Sequence, residues 1–266
     1  MELIKPKYEI WEQGVGLDDI YKHIERAGRI CYKSEQYITE GSAKPFVDRM
    51  IKSGHHAVLE HGTVYLVLFL GNEHKKEIVE FYEQCPYSWV VYDGDNHAYV
   101  TTNYRVLVGN GWLDDLQYLS EPTKYHKKRI TVHFTCDRGV SHEFVRHRLM
   151  SFCQESTRYC NYSKDKFGSS ITCITPPWLT DDDREEFESD LAVLEAMYFK
   201  WLNKGWQPQQ ARFILPNALK TELVMTGFEE EWEHFFRLRA EGVTGKPHPQ
   251  AEELAIPLMR EFRNME

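Results

Sequence analysis

The sequence predicts a folded chain of mixed α and β class, and three observations point that way. Apolar residues recur at helical spacing in both halves, as Leu17, Ile20, Ile24 and Ala27 near the start and as Phe187, Leu191, Leu194, Tyr198 and Trp201 later. Two stretches instead read as extended, residues 63–70 and the alternating residues 130–135. The 266 residues are 42% hydrophobic and 27% charged, which suffices for a sizeable core in one large domain or two small ones.

Taken in order, residues 17–28 form a first amphipathic helix that Gly28 would end. A second helix begins at Pro45, buries Phe46, Val47, Met50 and Ile51, and stops at Gly54, which delivers His55 and His56 into a turn. After the strand at 63–70, residues 71–128 are rich in Tyr, Asn, Gly and charge without a repeat, and are read as an inserted segment. Ser141 is placed as the N-cap of a helix running through the arginine-rich stretch that follows the strand at 130–135. Thr180 with Asp181, Asp182 and Asp183 gives a capped, acidic first turn to a long helix ending before Gly205. Pro208 opens a short helix that Pro216 closes, with Arg212 between them. Pro257 interrupts the C-terminal helical pattern and predicts a kink there.

The formal charge of −9 argues against a broad nucleic-acid-binding face, because that binding needs an extended basic field. Positive charge must act locally. No stretch approaches the length of a membrane span, and Glu2, Lys5, Lys7 and Glu9 interrupt any apolar run at the start, so a cytoplasmic location is expected. The six cysteines contain no C-x-x-C pair and are expected as reduced thiols, with Cys153 and Cys160 buried and structural.

The segment from Arg146 to Tyr159 concentrates guanidinium groups, an imidazole and hydroxyls, a composition suited to holding anions. On a helix Arg146 and Arg148 would point roughly 200° apart, flanking a buried stripe of Val145, Leu149 and Phe152, and would serve different ligands or one ligand bridging chains. The alternative is an ordinary solvated basic face. Ser156, Thr157 and Arg158 follow as a polar turn whose N–H groups and guanidinium suit phosphate. No histidine is spaced to activate Ser156 as a nucleophile, so a binding contact is the preferred role. In a later helix, Phe228, Trp232 and Phe235 set an apolar stripe whose next member is Arg239. A guanidinium there requires a carboxylate or a ligand as partner, unless it snorkels past the helix end or joins a structural ion pair. His55, His56, Glu60 and His61 offer a different reading, the ligand set of a metal-dependent hydrolase, although the H-E-x-x-H spacing is absent.

Arg146-His147-Arg148, followed after seven residues by Ser156, is similar to the signature of the flavin-dependent thymidylate synthase family. Arg158 and Tyr159 extend the resemblance, as do Gly54-His55 with Glu60-His61, the run from Ala211 to Pro216, Leu238-Arg239, and His248 to Glu252. The resemblance covers most of the chain outside 71–128. It implies a single α+β domain over residues 1–266, with helices packed on an antiparallel sheet and 71–128 inserted. It also implies a homotetramer that converts dUMP to dTMP with methylenetetrahydrofolate as carbon donor, FAD as hydride carrier and NADPH as reductant, with no resident metal.

By the same resemblance, His55, Arg146, His147, Arg148, Gln154 and His234 are expected around FAD, shared between subunits. Glu143, Arg146, Ser156, Thr157, Arg158, Arg212 and Arg239 are expected around dUMP, the turn at 156–158 on its phosphate. Arg239 is the expected catalytic group: a guanidinium at N3 and O4 of uracil would stabilise negative charge as C5 becomes nucleophilic, with no covalent protein adduct. Gln154 stands where many members carry Glu, and His234 where others carry Asn. Phe228 and Glu230 replace polar or basic flavin-binding residues, so that role is not transferred to them. A nucleotide-binding protein without turnover is the remaining alternative, and retention of Arg239 speaks against it.

Overall fold

The computed structural model describes every residue except Asn72, Asp95, Asp165, Lys166 and Glu266; the first two belong to the segment 71–128. The chain begins with strands β1 (Glu2–Ile4) and β2 (Lys7–Trp11), helices α1 (Leu17–Ile30) and α2 (Ala43–Lys52), and β3 (Thr63–Phe69). Helix α3 (Glu73–Glu83), strands β4 (Trp89–Tyr92) and β5 (His97–Asn103) and helix α4 (Tyr104–Asn110) follow. Next come β6 (Arg129–Asp137), α5 (Arg138–Phe144), β7 (Ser151–Gln154) and β8 (Thr172–Ile174). The chain closes with α6 (Asp181–Asn203), α7 (Pro208–Ala211), β9 (Lys220–Phe228), α8 (Glu229–Arg239) and α9 (Pro249–Met265).

The architecture is α+β. A four-stranded antiparallel sheet in the order β2-β6-β9-β7 forms its centre, beside a three-stranded antiparallel sheet β3-β5-β4 and a short parallel pair β1-β8. Strand β9, Lys220–Phe228, went unread in the sequence because both its faces are covered. Leu223 and Met225 pack with Trp232, Phe235 and Phe236 of α8 and with α9, whereas Val224 joins the core under α1 and α2. A strand buried on both sides has no polar alternation to betray it.

Helix α1 runs through Gly28 rather than ending there. A Cβ on Gly28 would lie 2.7 Å from the ring of Phe46, so the glycine permits close approach of α2. Helix α2 ends as expected, with Gly54 at a φ of 72° that favours glycine. Helix α6 is capped by Thr180, whose hydroxyl accepts from the Asp183 N–H, and buries Leu191 and Tyr198. Helix α9 continues on both sides of Pro257. The segment 71–128 supplies two strands to the sheet that β3 begins, and its Val79, Tyr82, Val100 and Leu107 share one core with α1 and α2. No disulfide joins any of the six cysteines, and Cys153 and Cys160 are buried. Among the described residues no helix is long and apolar enough to cross a membrane.

Candidate active site

The arginine cluster does not lie on a helix, which corrects the sequence reading. Asp137 rather than Ser141 caps α5, its carboxylate accepting from the Val140 N–H at 2.8 Å, and the helix stops at Phe144. Residues 145–150 are successive turns, closed by the His147 N–H donating to Phe144 O and the Met150 N–H to His147 O. The chain then extends, because Ser151–Gln154 pairs with β9. The supposed buried stripe is absent: Val145 is 37% and Leu149 62% exposed. Ser156–Arg158 therefore follows a strand, and the helix C-terminus that meets this turn is that of α1, where the Ser156 N–H donates to Cys31 O at 3.1 Å.

The turn brings Arg146, His147 and Arg148 against α8. The Arg239 guanidinium donates through Nη1 to Glu143 Oε2 at 2.6 Å, through Nη2 to the Glu143 carbonyl at 2.8 Å and through Nε to His147 Nε2 at 3.2 Å. Glu143 is thus the carboxylate that the apolar stripe demanded. Because the accepting carbonyl belongs to the last turn of α5, the cation also meets the negative end of that helix. Arg146 reaches the same carboxylate oxygen at 3.5 Å from a largely exposed position. In the stripe itself, Trp232 and Phe235 are buried on α8 as expected, but Phe228 ends β9 and stands at the N-cap.

His147 is buried, packed against the rings of His234 and Phe235 at 5.6 and 5.1 Å. Burial, then the charges of Arg239 and His234, push its pKa down to about 4, so the ring is neutral at physiological pH. Since Nε2 accepts from Arg239, the proton sits on Nδ1, and that buried N–H has no protein partner. Such a donor can be satisfied by an ordered water or by an acceptor on a ligand. Two cavities meet along this turn. One, of about 700 Å³, is polar and lined by Arg146, His147, Arg148, His234, Arg239 and Thr244 among others. The other, of about 450 Å³, shares the first four of these and adds apolar walls.

A second group gathers beyond the end of β7. Arg212 donates to Thr157 Oγ1 at 3.2 Å, and the Arg158 N–H to Ser156 Oγ at 3.3 Å. Arg158 lies over the Tyr159 ring, which packs on Tyr32 at 5.3 Å, and Tyr32 Oη lies 3.4 Å from His55 Nδ1. Among the described residues, no hydrogen bond, ion pair or ring contact joins Glu143, Arg146, His147, Arg148, His234 or Arg239 to Ser156, Thr157, Arg158 or Arg212. Gln154 stands between, on β7, its amide donating to Ser141 Oγ at 2.9 Å and Thr221 Oγ1 at 3.2 Å. Sequence reasoning missed the contribution of Trp89 and the turn before it to the apolar cavity; spacing gave no signal for a contact made from another sheet.

The four residues of the metal reading do not converge. His61 is fully buried and bonded to Thr226, His56 faces the Ile51 carbonyl, His55 meets Tyr32 and Glu60 pairs with Arg105. Among the described residues no three His, Cys, Asp or Glu side chains gather as a metal site.

The fold is mixed α+β and its site sets an arginine-lined turn against a half-buried, ion-paired arginine; comparison gives this arrangement a family. The model of the family described as thymidylate synthase complementing protein matches residues 95–265, well over half of the chain, and the chain belongs to that family. A flavin-dependent thymidylate synthase of Geobacter sulfurreducens is 35% identical over 102 residues, which is 38% of this chain and 43% of that one. The enzyme of the same description from Pyrococcus furiosus is 34% identical over 106 residues, 39% and 43% of the respective chains. The chain thus spans less than half the length of the curated relatives it matches. A solved UMP/dUMP methylase, PolB from Streptomyces cacaoi bound with 5-Br dUMP, aligns over 99% of this chain and 93% of its own with 14% identity and a TM-score of 0.47.

Proposed function

We propose that the chain is a flavin-dependent thymidylate synthase, methylating dUMP to dTMP with methylenetetrahydrofolate as carbon donor and NADPH as reductant. Membership of the family and the names of its relatives support this reading. The observation that carries it is the wall formed by Arg239, Glu143 and His147: a fixed guanidinium beside a buried N–H donor that lacks an acceptor. Arg146, His147, Arg148 and His234 line both cavities and fit an anionic dinucleotide such as FAD, which when bound carries hydride.

The chain's own residues divide the remaining work. Arg239 is preorganised by three hydrogen bonds to act on negative charge developing at uracil N3 and O4, and needs no rearrangement to do so. A neutral His147 orients it without adding a competing charge. Ser156, Thr157, Arg158 and Arg212 supply hydroxyls and guanidinium groups suited to the nucleotide phosphate. Among the described residues they make no direct contact with the Arg239 group, and we read the two groups as one site completed by a second copy; the assembly proposed is a homotetramer, in the cytoplasm.

Purification tests the reading. A yellow protein with the visible absorbance of oxidised flavin, forming dTMP from dUMP, is expected; a colourless protein containing stoichiometric zinc overturns it. A protein that binds FAD and dUMP without turnover would be the non-catalytic alternative. Arg158→Ala is expected to raise KM for dUMP roughly tenfold or more while kcat changes little, because a charge-assisted contact to the phosphate is lost. An unchanged dUMP affinity in a titration would remove Arg158 from the phosphate site.

A further inference from the structure

The apolar cavity on the far side of the arginine turn is built largely by residues to which the family resemblance gives no ligand role. Trp89, at the start of β4, faces Phe228 at the end of β9, with ring centroids 5.9 Å apart, and Met150 adds its thioether to the same wall. Lys127 holds the indole from one side, its Nζ 4.8 Å from the ring centroid, while ion-paired with Glu230. The turn leading to Trp89 is tied to β5 by Ser88 Oγ and Thr102 Oγ1 at 2.8 Å. The indole is therefore fixed, yet 39% exposed. A fixed aromatic at a cavity mouth is a surface on which a planar ring loses little entropy in binding.

The cavity does not stand alone. It shares Arg146, His147, Arg148 and His234 with the polar cavity that Arg239 lines, so the two are lobes on either side of one cationic turn. That sequence of chemistries is aromatic, then cationic, then polar. It complements a dinucleotide, in which a diphosphate separates two planar heteroaromatic ends.

We infer that Trp89, with Phe228 and Met150, forms the subsite for one heteroaromatic end of the bound dinucleotide, whose diphosphate lies against Arg146 and Arg148. This rests on the proposed flavin-dependent function and assigns a ligand-binding role to the segment 71–128. Phe228 offers this wall an apolar ring and no hydrogen-bonding group, which suits stacking.

The experiment compares the intact protein with Trp89→Ala and Trp89→Phe by titration with FAD, FMN and ADP after removal of bound flavin. Trp89→Ala is expected to bind FAD roughly tenfold more weakly or worse. Trp89→Phe should recover most of the affinity, and dUMP affinity should stay within twofold in both. Weakened FMN places the isoalloxazine on Trp89, and weakened ADP places the adenine there; either supports the subsite. FAD affinity unchanged in a folded Trp89→Ala overturns it and leaves the flavin reading intact. Failure of the unaltered protein to bind FAD at all overturns the flavin reading, and the subsite with it.

Discussion

Arg239→Ala is expected to retain FAD while losing dTMP formation by roughly two to three orders of magnitude, the usual consequence of removing a preorganised electrostatic stabiliser. The expectation follows from how the group is held. Two of its nitrogens are spent on Glu143 and a third on His147, so its position does not depend on substrate. Its side chain is only 14% exposed, where screening by water is weak. Arg239→Lys keeps the charge but cannot serve the carboxylate, the helix carbonyl and the imidazole together, and should recover only a fraction of the rate. Single-turnover measurement of dTMP formation, with flavin absorbance and thermal melting as controls, checks the result. Undiminished turnover in Arg239→Ala would remove Arg239 from the mechanism, whereas full turnover in Arg239→Lys would show that its charge suffices without the fixed fork.

The placement of Arg239 was legible because a charge at the next position of an apolar stripe must find a partner. Its partner was not: Glu143 lies 96 residues away in the chain, beyond any helical spacing. The capped helix Asp181–Asn203 was readable from local chemistry alone, since Thr180 and three aspartates act within one turn. By contrast, the stretch after Phe144 has helix-compatible residues, and only the demand of β9 for a partner draws residues 151–154 into a strand. Gly28 misled for a related reason. It serves the close approach of Phe46, a tertiary need that overrides its local tendency to end helices. Trp89 belongs with these cases, because its place beside the arginine turn depends on how the three-stranded sheet packs against the central one.

Below about pH 6.5 the protein is expected to lose stability steeply, by several kcal/mol by pH 4, through two histidines outside the candidate site. His23 and His61 lie in the core, joined by a chain in which His23 Nε2 meets Thr131 Oγ1 at 2.9 Å, Thr131 Oγ1 meets Thr226 Oγ1 at 2.8 Å, and Thr226 Oγ1 meets His61 Nδ1 at 2.8 Å. Three hydrogen bonds need three protons. With both rings neutral, the hydroxyls supply two and one imidazole the third, while the other imidazole accepts. Protonating both rings makes each a donor into the chain, which leaves a fourth proton, on one threonine hydroxyl, without an acceptor there. Desolvation, followed by neighbouring positive charge, lowers His23 to about 4 and His61 to about 3, against 6.5 for the free side chain. The unfolded state therefore binds more protons between pH 6.5 and these values, and stability falls as pH falls through that window. For His23 alone the difference is about 3 kcal/mol, a large fraction of an ordinary domain's stability. Replacing His23 by Gln, which offers hydrogen bonds without titrating, should flatten the dependence of Tm on pH between 6.5 and 4 even though it lowers Tm at neutral pH. A slope as steep as that of the unaltered protein would mean that the buried histidine chain does not drive acid unfolding.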